Sequence, residues 1–375
     1  MHPRILFYPF ASAGAVGLAL LGGCFGNSTP GAGPHEDAGL ADTGAALVDT
    51  GAAADVVSQP DGSLDSGVAE AGPPAQAEVL ASDAPQAYWL VTDGHDLYWT
   101  DWFYGDAGQQ LGRVMAMSID GGPETTLATI NGPAGGIALA PDAGVIYFSG
   151  SNENIYQVGF DGGGLATLVG DNGPEYVASD GTDLYYIIWG PYSIAQLPPA
   201  GTTPTVLAPN AHPIVMTVGG GRVFWTSSGA LLSAPTTPVD GGGVTVAVDP
   251  DAGDVSGTDW QYITSDGTSV YWTRQAVGST SSAILSVPVG GGTPQVIFDA
   301  GTGYLNSLAA DGVSVYFVMQ NAGLYKVPVD GGPAVPLDTT HITGASPSDD
   351  QGPTIAVDST SVYWINQPQI VKIAK

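Results

Sequence analysis

Asp93-Gly94-His95-Asp96-Leu97-Tyr98-Trp99 is written again as Asp180-Gly181-Thr182-Asp183-Leu184-Tyr185-Tyr186, as Asp266-Gly267-Thr268-Ser269-Val270-Tyr271-Trp272 and as Asp311-Gly312-Val313-Ser314-Val315-Tyr316-Phe317. Looser copies are Val145-Ile146-Tyr147-Phe148, Arg222-Val223-Phe224-Trp225 and Asp358…Val362-Tyr363-Trp364. The tyrosines (Phe224 in one copy) fall at 98, 147, 185, 224, 271, 316 and 363, in steps of 49, 38, 39, 47, 45 and 47 residues. Several short strands in each unit of roughly 40–50 residues are the pattern of β-propeller blades. The expected fold is all-β: seven four-stranded blades, with six as the alternative.

One unit shows the expected blade. Tyr262-Ile263-Thr264 leads into an Asp-Gly turn, and Val270-Tyr271-Trp272-Thr273 alternates as a half-buried strand does. Ala283-Ile284-Leu285-Ser286-Val287-Pro288 follows, then Gly290-Gly291-Gly292, then Gln295-Val296-Ile297-Phe298. Asp120-Gly121-Gly122, Asp161-Gly162-Gly163, Asp240-Gly241-Gly242 and Asp330-Gly331-Gly332 repeat the second turn. Glycine suits it because tight hairpins need positive φ. The last unit has three strands, ending with Gln369-Ile370-Val371-Lys372-Ile373, and lacks a fourth. Ala77-Glu78-Val79-Leu80-Ala81 reads like the fourth strands elsewhere, and it is expected to complete that blade. Closing the ring this way leaves no open end.

Before the ring the composition differs. Arg4 precedes an apolar or small stretch over residues 5–21, then Leu21-Gly22-Gly23-Cys24. Cys24 is the only cysteine, and the motif resembles a bacterial lipobox. The resemblance implies a signal peptide over 1–23 and a lipidated Cys24. An ordinary signal peptide and a single spanning helix are the alternatives. Pro9 and the glycines count against the helix. Residues 24–76 are rich in Ala, Gly, Asp and Pro, have no aromatic after Phe25 and lack apolar periodicity. They are expected to form a disordered tether resembling those of envelope lipoproteins. The domain boundaries are therefore 1–23, 24–76 and 77–375. With Cys24 acylated no thiol remains, so an exported ring must be held by its core alone. The expected location is a bacterial membrane, at the outer membrane or cell surface.

Asp and Glu number 36 against 7 Lys and Arg. Such a surface is a poor partner for nucleic acid and for bare anionic lipid, so the lipid would supply the anchorage. Leu97-Tyr98-Trp99-Thr100-Asp101 contains a literal Tyr-Trp-Thr-Asp, and Val270-Tyr271-Trp272-Thr273 and Val223-Phe224-Trp225-Thr226 keep most of it. Residues 77–375 are thereby similar to YWTD-type propellers of the low-density-lipoprotein-receptor class and to bacterial TolB and NHL relatives. Only one unit keeps the Asp, and YWTD rings usually have six blades, so seven would make this chain a cousin. The resemblance implies protein–protein binding.

The Asp-Gly and glycine turns belong to one face, and the longer connections to the other. Irregular loops on a rigid scaffold are where function concentrates. Asp101, Trp102, Tyr104, Trp189, Tyr192, Trp260 and Arg274 lie in or beside those loops and are the candidate ligand-binding residues. Their aromatic rings suit a sugar or peptide face, or alternatively pack over the blade edges as local core. The repeated turn aspartates, Asp93, Asp180, Asp266 and Asp311 with Asp120, Asp161, Asp240 and Asp330, read as structural. Asp249, Asp251, Asp254 and Asp259 are crowded enough for calcium, without the EF-hand spacing; no other cofactor is expected.

Of the five histidines, His212 and His341 fall in separate inter-blade loops, with no metal-ligand spacing around them. No Gly-x-Ser-x-Gly or Gly-Lys-Ser/Thr sequence occurs. The residues therefore lean away from an enzyme. The leading expectation is a monomeric, lipid-anchored propeller that binds an envelope protein or glycan. A hydrolase or lyase centred on the channel mouth, or a structural scaffold, are the alternatives.

Overall fold

The computed structural model describes residues 75–170, 176–188, 190–199, 201, 203–227, 230–237, 244–248, 262–275, 282–341 and 354–375. They form seven antiparallel four-stranded sheets. Six are sequential meanders, over 90–131, 134–169, 177–208, 216–248, 263–301 and 305–338 (blades 1 to 6). Blade 7 takes three strands from 355–374 and its outermost strand, Glu78–Ala81, from the start of the ring. Glu78 pairs with Lys372 and Val79 with Val371. The innermost strands contact one another in order, and the last contacts the first. The chain is a seven-bladed β-propeller closed by its N-terminal strand, and the six-bladed alternative is excluded. No helix long and apolar enough to cross a membrane occurs among the described residues.

The repeated aromatic pair explains the packing. Adjacent residues of a strand point to opposite faces, so each pair serves two junctions. Tyr98 packs toward blade 2 with Phe148, while Trp99 packs toward blade 7 with Tyr363. Tyr147 meets Tyr186, and Tyr185 meets Trp225. Phe224 meets Trp272, Tyr271 meets Phe317, and Tyr316 meets Trp364. Seven junctions thus hold seven apolar clusters, each with the first aromatic of one blade and the second of the next. Fully burying one such ring contributes roughly 1.5–3 kcal/mol.

The aspartate of the phrase has two tasks. One oxygen of Asp93 accepts the N–H groups of His95 and Asp96, and the other accepts the Tyr98 hydroxyl at 3.0 Å. Asp180 with Tyr185, Asp266 with Tyr271, Asp311 with Tyr316 and Asp358 with Tyr363 repeat the link at 2.7–2.9 Å. Each Asp therefore ties its turn to the ring buried in the following junction. Gly219 and Phe224 stand at these places in blade 4, so carboxylate and hydroxyl are lost together.

Each outermost strand carries a one-residue bulge, at Leu80, Leu127, Leu168, Leu207, Val246, Ile297 and Leu337 in turn, and that of blade 5 has a second at Ala300. Leu127, Leu207 and Ile297 are thereby turned inward and buried. A bulge also makes the exposed edge a poor template for another strand.

The residue after each aromatic pair separates two kinds of buried hydroxyl. Thr100 donates to the Gly135 carbonyl of the next blade at 2.7 Å, whereas the buried Thr226 hydroxyl has no partner among the described residues. Ile187, Val318 and Ile365 occupy this position elsewhere. Thr226→Val is expected to raise stability by up to about 1 kcal/mol, and Thr100→Val to lower it by about 1–2 kcal/mol. Chemical denaturation of both variants checks this; equal shifts would refute it.

Candidate functional site

Connections alternate between the ends of a meander, so the two faces of the disc differ. On one face the two turns of a blade bond to each other: Ile119 N–H to the His95 carbonyl, Val289 to Thr268, and Val329 to Val313. On the other face lie the loops between second and third strands and the passages from blade to blade.

Blade 1 departs from its neighbours on that irregular face. Its second and third strands, Asp96–Tyr104 and Gln110–Ser118, have nine residues each, against five to seven in the other blades. The excess extends the hairpin by about 10 Å at about 3.4 Å per residue. Its root is pinned twice. Asp101, only 4% exposed, accepts Arg113 Nε at 2.9 Å on one oxygen and Arg113 Nη2 on the other. Gly112 lies so close to blade 2 that a Cβ would stand 2.2 Å from Ala134 N, and Gly132 N–H bonds the Gln110 carbonyl at 3.0 Å. Burial pushes the Asp101 carboxyl upward against the pull of Arg113. The Asp101 carboxylate holds the Arg113 guanidinium above its usual range. Asp101 therefore positions the hairpin, and its oxygens are engaged inside the protein.

The extended part is aromatic on both sides. Arg113 lies over the Phe103 ring, 4.4 Å from its centroid. On the other side Trp102 and Tyr104 meet edge to face at 5.5 Å. Trp102 Nε1 donates to the Tyr88 hydroxyl at 3.1 Å, which fixes the indole, while Tyr104 is 55% exposed. Trp102 is half-buried, so it is both support and surface.

A second cluster spans blades 3 and 4. Tyr192 stacks on His212 with centroids 4.9 Å apart and planes at 21°. Tyr192, Asn210 and His212 have φ of 50°, 52° and 46°, a region disfavoured for residues with a Cβ. His212 N–H bonds the Tyr192 carbonyl at 3.0 Å, and Asn210 N–H bonds Ser193 Oγ at 3.3 Å. Arg274 is half-buried at the irregular-face end of its strand, opposite Ala283. Trp189, Trp260, Asp249, Asp251, Asp254 and Asp259 lie outside the described residues, as does Cys24. The candidates Asp101, Trp102 and Tyr104 share one hairpin; Tyr192 and Arg274 belong to other blades.

Several residues here were not singled out from the sequence. Tyr304 is 42% exposed in the passage from blade 5 to blade 6. Tyr88, Trp89 and Tyr176 precede innermost strands, and Trp89 meets Tyr176 edge to face at 5.4 Å although blade 2 lies between them. Blade 2 has Gly135-Gly136 there. An aromatic just before an innermost strand, with glycines in the blade between, was the available signal. His341 Nδ1 lies 2.7 Å from the buried Asp338 carboxylate, which burial would raise but which Thr340 and His341 hold below the ordinary range.

The innermost strands surround a channel of about 470 Å³. Its described wall is aliphatic, hydroxylic and aromatic, from Val91, Leu139, Tyr176, Thr217, Tyr262 and Val357 among others, and includes no charged side chain. Burial pushes the Tyr262 hydroxyl up to about 12. No group of three or more His, Cys, Asp or Glu able to hold a metal ion occurs among the described residues.

No family model matches the chain. No curated protein matches it either. Solved structures share its architecture. The β-propeller domain of the Trilobed protease from Pyrococcus furiosus superposes with a TM-score of 0.55 and 11% identity, over 77% of this chain and 92% of that one. YCF48 bound to D1 peptide gives 0.54 and 11%, over 80% and 97%. Oligogalacturonate lyase in complex with manganese gives 0.53 and 12%, over 80% and 96%. These proteins do unlike things, and identity this low carries the fold alone. The similarity first read in Tyr98-Trp99-Thr100-Asp101 therefore holds at the level of the propeller architecture.

Proposed function

We propose that the chain is a lipid-anchored envelope protein whose propeller binds a protein or glycan partner through its irregular face, without catalysing a reaction. The observation that carries the reading is the blade 1 hairpin. It stands beyond its neighbours, is braced by Asp101–Arg113 and by Gly112 against blade 2, and presents Tyr104 to solvent. Rigid aromatic area costs little conformational entropy on binding. Supporting it, no carboxylate, imidazole, amine or guanidinium lines the described channel wall. Leu21-Gly22-Gly23-Cys24 and the following Ala/Gly/Asp/Pro-rich stretch support the anchor and the tether.

Two measurements test this. The full chain, and the same chain carrying Trp102→Ala and Tyr104→Ala, are used to capture partners from an envelope extract. A partner recovered at least tenfold less by the double variant is expected; equal recovery of everything removes the hairpin from the binding face. Cys24→Ser is expected to move the protein from the membrane to the soluble fraction, and unchanged fractionation would dispose of the lipid anchor.

A further inference from the structure

The geometry points to a neutral oligosaccharide chain as the partner, laid along blade 1 with one end in the irregular-face mouth of the channel. This rests on the binding role proposed for the same face and assigns its ligand class. Aromatic side chains form a chain of contacts, partly exposed at Trp102, Tyr88 and Tyr176 and buried at Trp89, which is 7% exposed. Tyr104 touches Trp102 at 5.5 Å, Trp102 bonds Tyr88 at 3.1 Å, Trp89 follows Tyr88 in the chain, and Trp89 meets Tyr176 at 5.4 Å. The path begins at the exposed hairpin tip and ends in the channel wall, which Trp89 and Tyr176 both line. The Trp89–Tyr176 contact bridges over blade 2, where Gly135 and Gly136 bring no side chain between the rings.

The channel supplies the matching polar groups. Each innermost strand is paired on one side only, so alternate main-chain N–H and C=O groups point inward. Those groups are neutral donors and acceptors, and the described wall has no charged side chain. A volume of about 470 Å³ is within the roughly 300–1,000 Å³ of small-ligand sites. A sugar chain presents apolar C–H faces to rings and hydroxyls to main-chain groups, and it carries no charge to desolvate. The excess of 36 acidic over 7 basic residues disfavours anionic glycans by long-range repulsion.

The test is equilibrium titration of the full chain with cellohexaose, maltohexaose, xylohexaose and chitohexaose, with hexagalacturonate as the anionic control. At least one neutral hexamer is expected to bind saturably, and the control to bind at least tenfold more weakly. Tyr104→Ala and Trp102→Ala are each expected to weaken binding by about 3–10-fold, as loss of one ring contact implies. Tyr176→Ala, in the channel wall, is expected to do the same with an unchanged preference among hexamers; the exposed Tyr104 variant keeps the test decisive should Tyr176→Ala unfold. No binding of any neutral hexamer at millimolar concentration overturns the assignment. So does binding that the hairpin variants leave unchanged, or tighter binding of the control. If hexamers fail while the hairpin variants still lose a captured protein, the glycan assignment falls and the binding role stands. If capture is also unaffected, both fall.

Discussion

Deletion of residues 77–82 is expected to cost on the order of 5 kcal/mol, a large share of the 5–15 kcal/mol that holds most domains folded. Among the described residues, Glu78–Ala81 alone covers the outer edge of Gln369–Ala374. Ala81 is buried with Leu97, Trp99 and Ile370 at the junction of blades 7 and 1, and Leu80 packs against the same group. Without the strand, that cluster opens and an unbulged edge strand is exposed to a second molecule. Lys372 Nζ bonds the Ile119 carbonyl at 2.8 Å and Gln367 Nε2 the Ala87 carbonyl at 2.9 Å, so links between these blades survive the deletion. The prediction is therefore a lowered melting temperature with concentration-dependent association, not complete unfolding. A truncated ring that melts with the intact one and sediments as a monomer would show that closure does not depend on this strand.

Asp311→Ala is expected to cost about 3 kcal/mol, more than any other turn aspartate, because it removes a partner from a charge-assisted network. One oxygen accepts Val313 N–H at 3.0 Å and Ser314 N–H at 2.8 Å. The other accepts the Tyr316 hydroxyl at 2.9 Å and the Lys375 ammonium, which belongs to blade 7. The change thus loosens a turn, a core ring and a junction together. Tyr316→Phe, which keeps the turn, is expected to cost about 1 kcal/mol. Equal losses in the two variants, read by urea denaturation, would contradict the network.

The same links set the pH range of stability. Burial would raise Asp311, but the bonds from Lys375, Ser314, Val313 and Tyr316 outweigh it and hold the carboxyl at about 2. Asp93 and Asp358 are lowered in the same way. A depressed folded value means that this stability is present above about pH 4, the unfolded value, and is lost as pH falls through about 2. Burial first, then the turn carboxylates, push the Tyr98, Tyr185, Tyr271, Tyr316 and Tyr363 hydroxyls upward. Their contribution is full below about pH 10 and is lost as pH rises through the folded values. A denaturation profile should fall below the acid limit and above the alkaline one, with the acid limb shallower in Asp311→Ala; Asp101, whose carboxyl burial raises, acts in the opposite sense and lowers stability as pH rises above about 4.

What the chain's own letters determined is the local part of the architecture. Asp-Gly and Gly-Gly fix tight turns through φ and side-chain bonding, and Tyr-Trp alternation fixes two-faced strands. Their sevenfold recurrence, with complementary strands at the ends of the ring, fixes the blade number and the closure. The constant five-residue step from Asp to Tyr was also visible, but the bond between them depends on a strand folding back over its own turn. The tertiary structure alone decided which candidates meet. Asp101 faces Arg113 only because two nine-residue strands pair in register, and that pairing makes a candidate ligand-binding acid into a brace for Trp102 and Tyr104. Trp89 and Tyr176 are 87 residues apart and two blades away, and they touch only when the ring brings their strands to one channel mouth. Turn chemistry and side-chain alternation act over a few residues and are legible in order along the chain; contacts across blades depend on ring curvature and the gap left by Gly135-Gly136, which no short stretch encodes.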